Sequence, residues 1–483
     1  LCAALSAAEQ GARVLVLERA PEAERGGNSA FTGGGFRIVH NGVDDIRRII
    51  PSLTDQQVEN TDFGVYPASQ YLDDLGRLTD YHVDPDLAET IVHNSQPTVE
   101  WIRGNGVVFD AEYGRQAFND KGKYKFTAVV VRAAGGGRAL VDGLHRAIAR
   151  HGVEVIYNAE AVGLTRDRRG VTGVDAVVDG EKQHFPAAAV VLASGGFEAN
   201  REWRARYLGP GWDLAKVRGS RYNTGGGIRM ALDIGAQPFG QWSGAHACSW
   251  DRFAPDFGEL DSLSSSERHC FQFSIMVNAE GRRFIDEGSD FRNLTFGKQG
   301  RVILEQPGAF AWQVFDAQGA KFQHTEYKTR GATKVTADTL EELARKMEFA
   351  NPEQFLRTVE EFNASIAEDV PFSPNVKDGR RTRGLSVNKS NWANALKAPP
   401  FEAFAVGAAL TFTYGGVKSN PRAQVLDMAD NPISGLFVAG EMMGGIYYFN
   451  YPGATGLMSG AVFGRIAGRE ASGYARQAGK QAA

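Results

Sequence analysis

The stretch Arg13-Val14-Leu15-Val16-Leu17-Glu18-Arg19, followed from Arg25 by Gly26-Gly27-Asn28-Ser29-Ala30-Phe31-Thr32-Gly33-Gly34-Gly35, decides the fold. Its first part is an apolar run of strand length that closes on an acid. Ahead of it, Leu1 to Gly11 reads as a helix ended by glycine, so the two segments predict the second half of a β-α-β unit. Neither Met nor a strand with a Gly-rich turn stands before that helix, which predicts a chain starting inside a mononucleotide-binding unit. A signal peptide would need a basic region, and the Ala-rich start has none. In such a unit the acid at the end of the second strand accepts hydrogen bonds from ribose hydroxyls, which makes Glu18 a candidate. Alone, Glu18 reads equally well as a solvated acid at a strand end. The loop from Arg25 to Gly35 shifts the balance, because closely spaced glycines let backbone N–H groups wrap a pyrophosphate and let a flat ring lie against the main chain.

Two further junctions repeat the pattern. Ala187 to Ala193 is a continuous apolar strand running into Ser194-Gly195-Gly196-Phe197, and Gly435-Leu436-Phe437-Val438-Ala439 runs into Gly440-Glu441 ahead of an apolar helix from Leu457 to about Ala471. Three strand-to-glycine junctions predict one parallel sheet whose carboxyl ends line a ligand crevice. A helix over 138–152, a strand over 153–157 and a hairpin through Val174–Val178 complete this part. Between Trp242 and Phe412 the texture changes to mixed strands, polar loops and amphipathic helices. Asp338 with Glu341 predicts one helix start, and Asn351-Pro352 another, whose Phe355, Val359, Phe362 and Ile366 share a face. The predicted architecture is α/β: a Rossmann-like domain with a parallel sheet over 1–241 and 413–483, and an inserted α+β domain over 242–412.

Composition sets the outer limits. The 483 residues carry 43% hydrophobic and 23% charged side chains, within the globular range, so disorder and fibrous repeats are excluded. Lys and Arg number 53 against 57 Asp and Glu, a net charge of -4 without the basic excess of a nucleic-acid binder. Cys2, Cys248 and Cys270 lie far apart, which argues against a disulfide framework, an iron–sulfur cluster or a cysteine zinc site and fits a reducing cytoplasm. No apolar run reaches bilayer length, so any membrane link is peripheral. The 57 glycines cluster in doublets and triplets, as expected of a chain built around a bulky cofactor.

Taken together, Leu17-Glu18-Arg19 with Gly26-Gly27-Asn28-Ser29, Ala193 to Asn200, Asn223-Thr224-Gly225 with Gly227 to Ala231, Gly281 to Glu287, Gly440-Glu441 and Phe463 to Gly468 resemble the flavoprotein family of fumarate reductase and succinate dehydrogenase flavin subunits, with its relatives the 3-ketosteroid and tricarballylate dehydrogenases. The resemblance covers nearly the whole chain. It implies FAD, with the inserted domain as a cap over the flavin and substrate between. The cofactor residues it implies are Glu18, Arg19, Gly26, Gly27, Asn28, Ser29, Thr32, Gly33, Gly34, Ala161, Ala193, Ser194, Gly195, Asn223, Thr224, Gly225, Gly440, Glu441, Gly456 and Leu457. Members with covalent flavin carry histidine where this chain has Asn28, so non-covalent FAD is implied.

The same resemblance assigns the chemistry. Ser289-Asp290-Phe291-Arg292-Asn293 matches the cap segment whose arginine is the proton donor of fumarate reductases, which makes Arg292 the candidate. A guanidinium rarely gives up its proton, so a relay is needed. Glu267 matches the glutamate of that relay, and Cys270 stands where its second arginine would be. Ser266 and His246 match groups that bind a substrate carboxylate. Two cationic positions of fumarate reductases are replaced, within Thr411 to Gly416 and Phe449 to Gly453. Tyr451 in Tyr-Pro-Gly is similar to the ketone-polarising tyrosine of 3-ketosteroid dehydrogenases. The aromatic run from Tyr447 to Tyr451 and the ending from Gly456 to Arg465 are most similar to tricarballylate dehydrogenase. The implied reaction is dehydrogenation of a carboxylate-bearing CH–CH bond, foremost tricarballylate to cis-aconitate, by hydride transfer to flavin N5. A 3-ketosteroid-type dehydrogenase, a fumarate-reductase-like enoate reductase and, from another class, a non-catalytic flavin electron carrier are the alternatives. Arg218, Arg221 and Arg229 are further unranked carboxylate partners. Electrons would pass to a separate electron-transfer protein or a quinone.

Overall fold

The structure is a computed structural model that describes residues 1–120, 122–260, 266–349, 351–367 and 369–482. Helix α1 (Cys2–Glu9) stops two residues before Gly11, whose φ of +78° turns the chain into strand β1 (Leu15–Leu17). Helices α2 (Ala68–Leu78) and α3 (Pro85–Gly104) follow the glycine-rich loop; Asp84 caps α3 by accepting from the N–H groups of Asp86 and Leu87. Strands β2 (Phe109–Ala111) and β3 (Ala117–Asp120) flank a turn that holds Arg115. Helix α4 (Gly136–Arg150) leads to β4 (Glu154–Ile156), which pairs in parallel with β1, Leu15 opposite Glu154.

Strands β5 (Ala159–Asp167), β6 (Gly170–Val178) and β7 (Glu181–Pro186) form an antiparallel sheet, and β8 (Val190–Leu192) starts three residues later than the apolar run predicts. The reason is local: the Ala187 N–H is donated to Thr172 O at 2.9 Å, so the head of the run stays with the antiparallel sheet. Helix α5 (Gly226–Asp233) precedes the long strand β9 (Pro238–Asp251). Then come β10 (Ile275–Asn278), β11 (Ala311–Phe315), helix α6 (Pro352–Ala364), the long strand β12 (Phe401–Val417), β13 (Pro432–Val438) and helix α7 (Thr455–Ala482), of which no side chain beyond 478 is described.

Strand β13 pairs in parallel with β8, Val190 opposite Leu436. The single parallel sheet expected from the three junctions is instead two separate parallel ladders, because no described strand bridges β1–β4 to β8–β13. Strands β9 and β12 run antiparallel through positions 242 and 412, where the sequence places the change of domain, and β12 also pairs with β11. In the inserted part Phe355, Val359 and Phe362 of α6 are buried with Ile275, Val277 and Val314, each worth about 1.5–3 kcal/mol of transfer free energy. The preceding helix, Leu340–Lys346, is capped by Thr339, whose Oγ1 accepts from Glu342 N at 3.1 Å, rather than by Asp338. A Cβ at Gly468 would overlap Ala3 O and one at Gly464 would reach Cys2 Cβ at 3.0 Å, so these two glycines let α7 lie against α1. Among the described residues no helix is long and apolar enough to cross a membrane.

Candidate active site

The strand ends gather the glycine loops. Glu18, just past β1, accepts from Ala20 N at 2.9 Å, and Arg19 donates to Thr224 Oγ1 (2.7 Å) and Tyr222 O (3.2 Å), drawing the loop of Asn223, Thr224 and Gly225 to the end of β1. Gly26 (φ +106°) and Gly27 (φ +52°) turn the chain into a short 3-10 helix carrying Asn28 and Ser29. That loop rests on the start of α4: Gly34 N donates to Thr32 Oγ1 at 3.2 Å, and a Cβ at Gly137 would overlap Ser29 O. After β8, Ser194 contacts Met442 and Gly195 takes φ +76° beside Asn223. Gly440 and Glu441 follow β13, Gly456 and Leu457 open α7, and Ala161 sits on β5 opposite Ala176.

Two buried carboxyls meet here. Glu198 Oε1 accepts from Asn28 Nδ2 (2.5 Å) and Asn223 Nδ2 (2.6 Å), while Glu441 Oε1 accepts from Thr413 N (2.7 Å) and Oγ1 (3.1 Å). Burial, then the neighbouring Glu441, pushes the Glu198 carboxyl well above the carboxylate range, and burial raises Glu441 as well. A raised folded-state value stabilises the fold below the ordinary glutamate range and loses that stabilisation as pH climbs through the raised value. Glu198→Gln is therefore expected to melt at a higher temperature than the parent at pH 8 and to show no gain at pH 4, checked by calorimetry at both pH values.

On the other side, an aromatic wall surrounds the candidate catalytic groups. The His246 ring lies 4.6 Å from Tyr451, 4.8 Å from Phe296 and 5.2 Å from Phe412, centroid to centroid. It is wholly buried, neither ring nitrogen has a partner, and burial with the charge of Arg218 pushes its pKa far down, so it stands as neutral imidazole. Arg292 opens a four-residue helix, with its guanidinium carbon 5.6 Å from the centre of the Phe296 ring. Asn450 Nδ2 donates to Leu294 O (2.8 Å), Gly453 N to Asn293 O (2.7 Å), and Arg37 Nε to Gly453 O (2.8 Å). These bonds hold Tyr451 against the Arg292 helix. Burial raises the Tyr451 hydroxyl, leaving it a neutral donor.

Glu267 is 2% exposed and held from both sides, by Arg218 Nη2 on Oε1 (2.5 Å) and Arg115 Nη1 on Oε2 (2.7 Å). Burial works against its ionisation, but the charges of Arg115 and Arg218 outweigh it and keep the carboxyl well below the usual range. Arg292 is pushed down, by burial first and the Arg115 charge second. Ser266 lines a small cavity with Arg218 and Trp250. Cys270 is buried, its thiol raised by burial, and it supplies no charge next to Glu267.

The family described as FAD binding domain matches residues 1–457. The chain belongs to this family. It is 31% identical to Probable fumarate reductase Ifc3 of Shewanella frigidimarina over 98% of this chain and 73% of that protein. It is 27% identical to urocanate reductase of Eggerthella lenta over 98% of this chain and 73% of that protein. The open conformation of a flavocytochrome c3 fumarate reductase superposes with a TM-score of 0.72 at 26% identity, covering 98% of this chain and 76% of the other. The chain is thus a flavoprotein of the fumarate reductase family, a family of FAD-dependent oxidoreductases.

The residues present in this flavoprotein fit FAD. Beside the first turn of α5, a Cβ at Gly226 would meet nothing within 4 Å, and one at Gly27 would meet only Asn223 Oδ1 at 4.0 Å, which leaves the backbone of both turns open to a ligand. Glu198 Oε2 and Thr411 Oγ1 are buried without a hydrogen-bond partner. Of the three unranked arginines, Arg218 alone is buried at the site; Arg221 and Arg229 are exposed. Phe296, His269 and Arg115 escaped the sequence reading. His269 had a signal, two residues from Glu267, but Arg115 had none, since 177 positions separate it from Arg292.

Proposed function

We propose that this flavoprotein catalyses hydrogen transfer at a carbon–carbon bond beside a single carboxylate, interconverting a 2-enoate and its saturated acid, with an aromatic or apolar group on the far carbon. One observation carries the reading: Arg292 is 8% exposed, and among the described residues no carboxylate lies within ion-pair distance of it. Arg115, Arg218 and Arg292 bring three positive charges. Glu267 and Glu326 are held ionised, the latter by His324 and Arg115, and the nearby Glu112, whose carboxyl burial pushes up, has its own partner in Arg132 at 3.7 Å. One positive charge is left over, which suits one substrate carboxylate, because a buried unpaired charge is strongly disfavoured.

Tricarballylate would bring three carboxylates to that single excess charge, and a neutral ketosteroid would leave Arg292 unneutralised. The aromatic wall of His246, Phe296, Phe412 and Tyr451 supports a flat substituent, as in urocanate, the substrate named for one relative.

Bound FAD supplies or takes up two electrons with one hydrogen. The chain does the rest. Arg292 binds the carboxylate end and holds the exchangeable proton, Glu267 returns it, and His246 with Tyr451 donates hydrogen bonds that orient the substrate. We read the FAD as non-covalent, since both ends of the Asn28 amide are occupied, Nδ2 by Glu198 and Thr411 O and Oδ1 by Ser220 N. The electron partner is placed on a separate protein or a quinone. An anaerobic assay with reduced viologen and a panel of trans-cinnamate, urocanate, fumarate, tricarballylate and a 3-ketosteroid tests the substrate class. The aryl acrylates are expected to turn over at least about tenfold faster than fumarate, a margin of about 1.4 kcal/mol in the barrier. Rapid bleaching of oxidised enzyme by tricarballylate, with no turnover of either aryl acrylate, would overturn the reading.

A further inference from the structure

Arg115 belongs to no motif, yet it touches three parts of the site at once. Its Nη1 lies 2.7 Å from Glu267 Oε2 and its Nη2 lies 3.5 Å from Glu326 Oε2. Its backbone oxygen accepts from Arg292 Nη2 at 3.0 Å. Its Nη1 would also stand 3.3 Å from a Cβ on Gly33, in the glycine-rich loop. A fifth of the side chain reaches the surface, against 3% for Glu267.

We propose that Arg115 is a positioning residue for the proton step: its guanidinium fixes Glu267 and its carbonyl aims Arg292, so the β2–β3 turn couples the cofactor loop to the proton-handling pair. The proposal rests on the reading of Arg292 given above and deepens it. In the reducing direction an Nη–H bond of Arg292 breaks and a C–H bond forms at the substrate, the other hydrogen and both electrons coming from reduced FAD. Arg292 then regains its proton by way of Glu267. The groups facing this path are Arg218, His269 and Glu326 around Glu267, with Cys270 and Glu112 near Arg292. The Arg115 charge acts on both partners in the useful sense, easing proton loss from Arg292 and keeping Glu267 ionised to receive a proton.

The test uses holoenzyme carrying Arg115→Gln or Arg115→Lys. Arg115→Gln is expected to lower kcat with trans-cinnamate by about 10–100-fold, less than the loss of the acid–base group itself, with KM changed by less than about threefold. The acid limb of its pH profile should move up by about one pH unit, as Glu267 loses one of two guanidiniums. Arg115→Lys, which keeps the charge, should recover most of both. Unchanged pH limbs in Arg115→Gln, or no advantage of Arg115→Lys over it, would refute the proposal. Infrared spectroscopy reads the same pairing without substrate. The band of protonated Glu267, identified by its loss in Glu267→Gln, should appear at a pH about one unit higher in Arg115→Gln than in the parent. If the parent enzyme reduces no enoate, the proposed function falls and the infrared result alone decides Arg115.

Discussion

Arg292→Ala is expected to lower kcat/KM for a carboxylate substrate by about 10³-fold or more, roughly 4 kcal/mol of transition-state stabilisation. On the proposed reading two losses combine in this one substitution: the buried positive charge opposite the substrate carboxylate, and the group that carries the proton. The fold should survive it. Arg292 donates to the Arg115 carbonyl and faces Phe296, and no described carboxylate pairs with it, so its removal strands no buried anion. Flavin content and melting temperature should therefore stay near those of the parent while turnover collapses. Arg292→Lys separates the two roles, since it keeps a charge but shortens the reach and changes the donor geometry; it should bind substrate better than the alanine variant and remain slow. Steady-state kinetics alongside the flavin spectrum check both, and an alanine variant within tenfold of the parent would remove Arg292 from the mechanism.

The second large effect falls on the cofactor loop. Gly137→Ala places a methyl group on Ser29 O and within 2.6 Å of Thr32 Oγ1, backbone and side chain of the loop that turns over α4. Alanine suits a helix better than glycine by about 1 kcal/mol, but here the neighbour is backbone and has nowhere to move. The expected outcome is a loss of about 1–3 kcal/mol in stability and at least a tenfold weaker hold on FAD, read by thermal unfolding and flavin titration. Gly104→Ala, at the end of α3 with nothing within 4 Å of the added Cβ, is the control and should bind FAD like the parent.

The proposed cofactor residues were legible in the sequence because they lie at strand ends. An apolar run ending in glycine or an acid announces itself locally, which is why Glu18, Gly195 and Glu441 could be named from spacing and composition, and Asn223 from the family motif. The proposed catalytic residues were less legible. Arg292, Glu267, Ser266, His246 and Tyr451 came from resemblance, and the expectation of three carboxylates followed from motif endings rather than from a count of charges.

The sequence by itself determined the α/β plan and the glycine loops, since backbone periodicity and glycine's freedom at positive φ act over a few residues. Tertiary structure alone decided that β1–β4 and β8–β13 stay separate parallel ladders, that Arg115 closes on Glu267, and that no described carboxylate pairs with Arg292. The physical reason is that net charge in a buried pocket is a sum over side chains contributed by distant segments, and no local pattern records which guanidiniums are already neutralised.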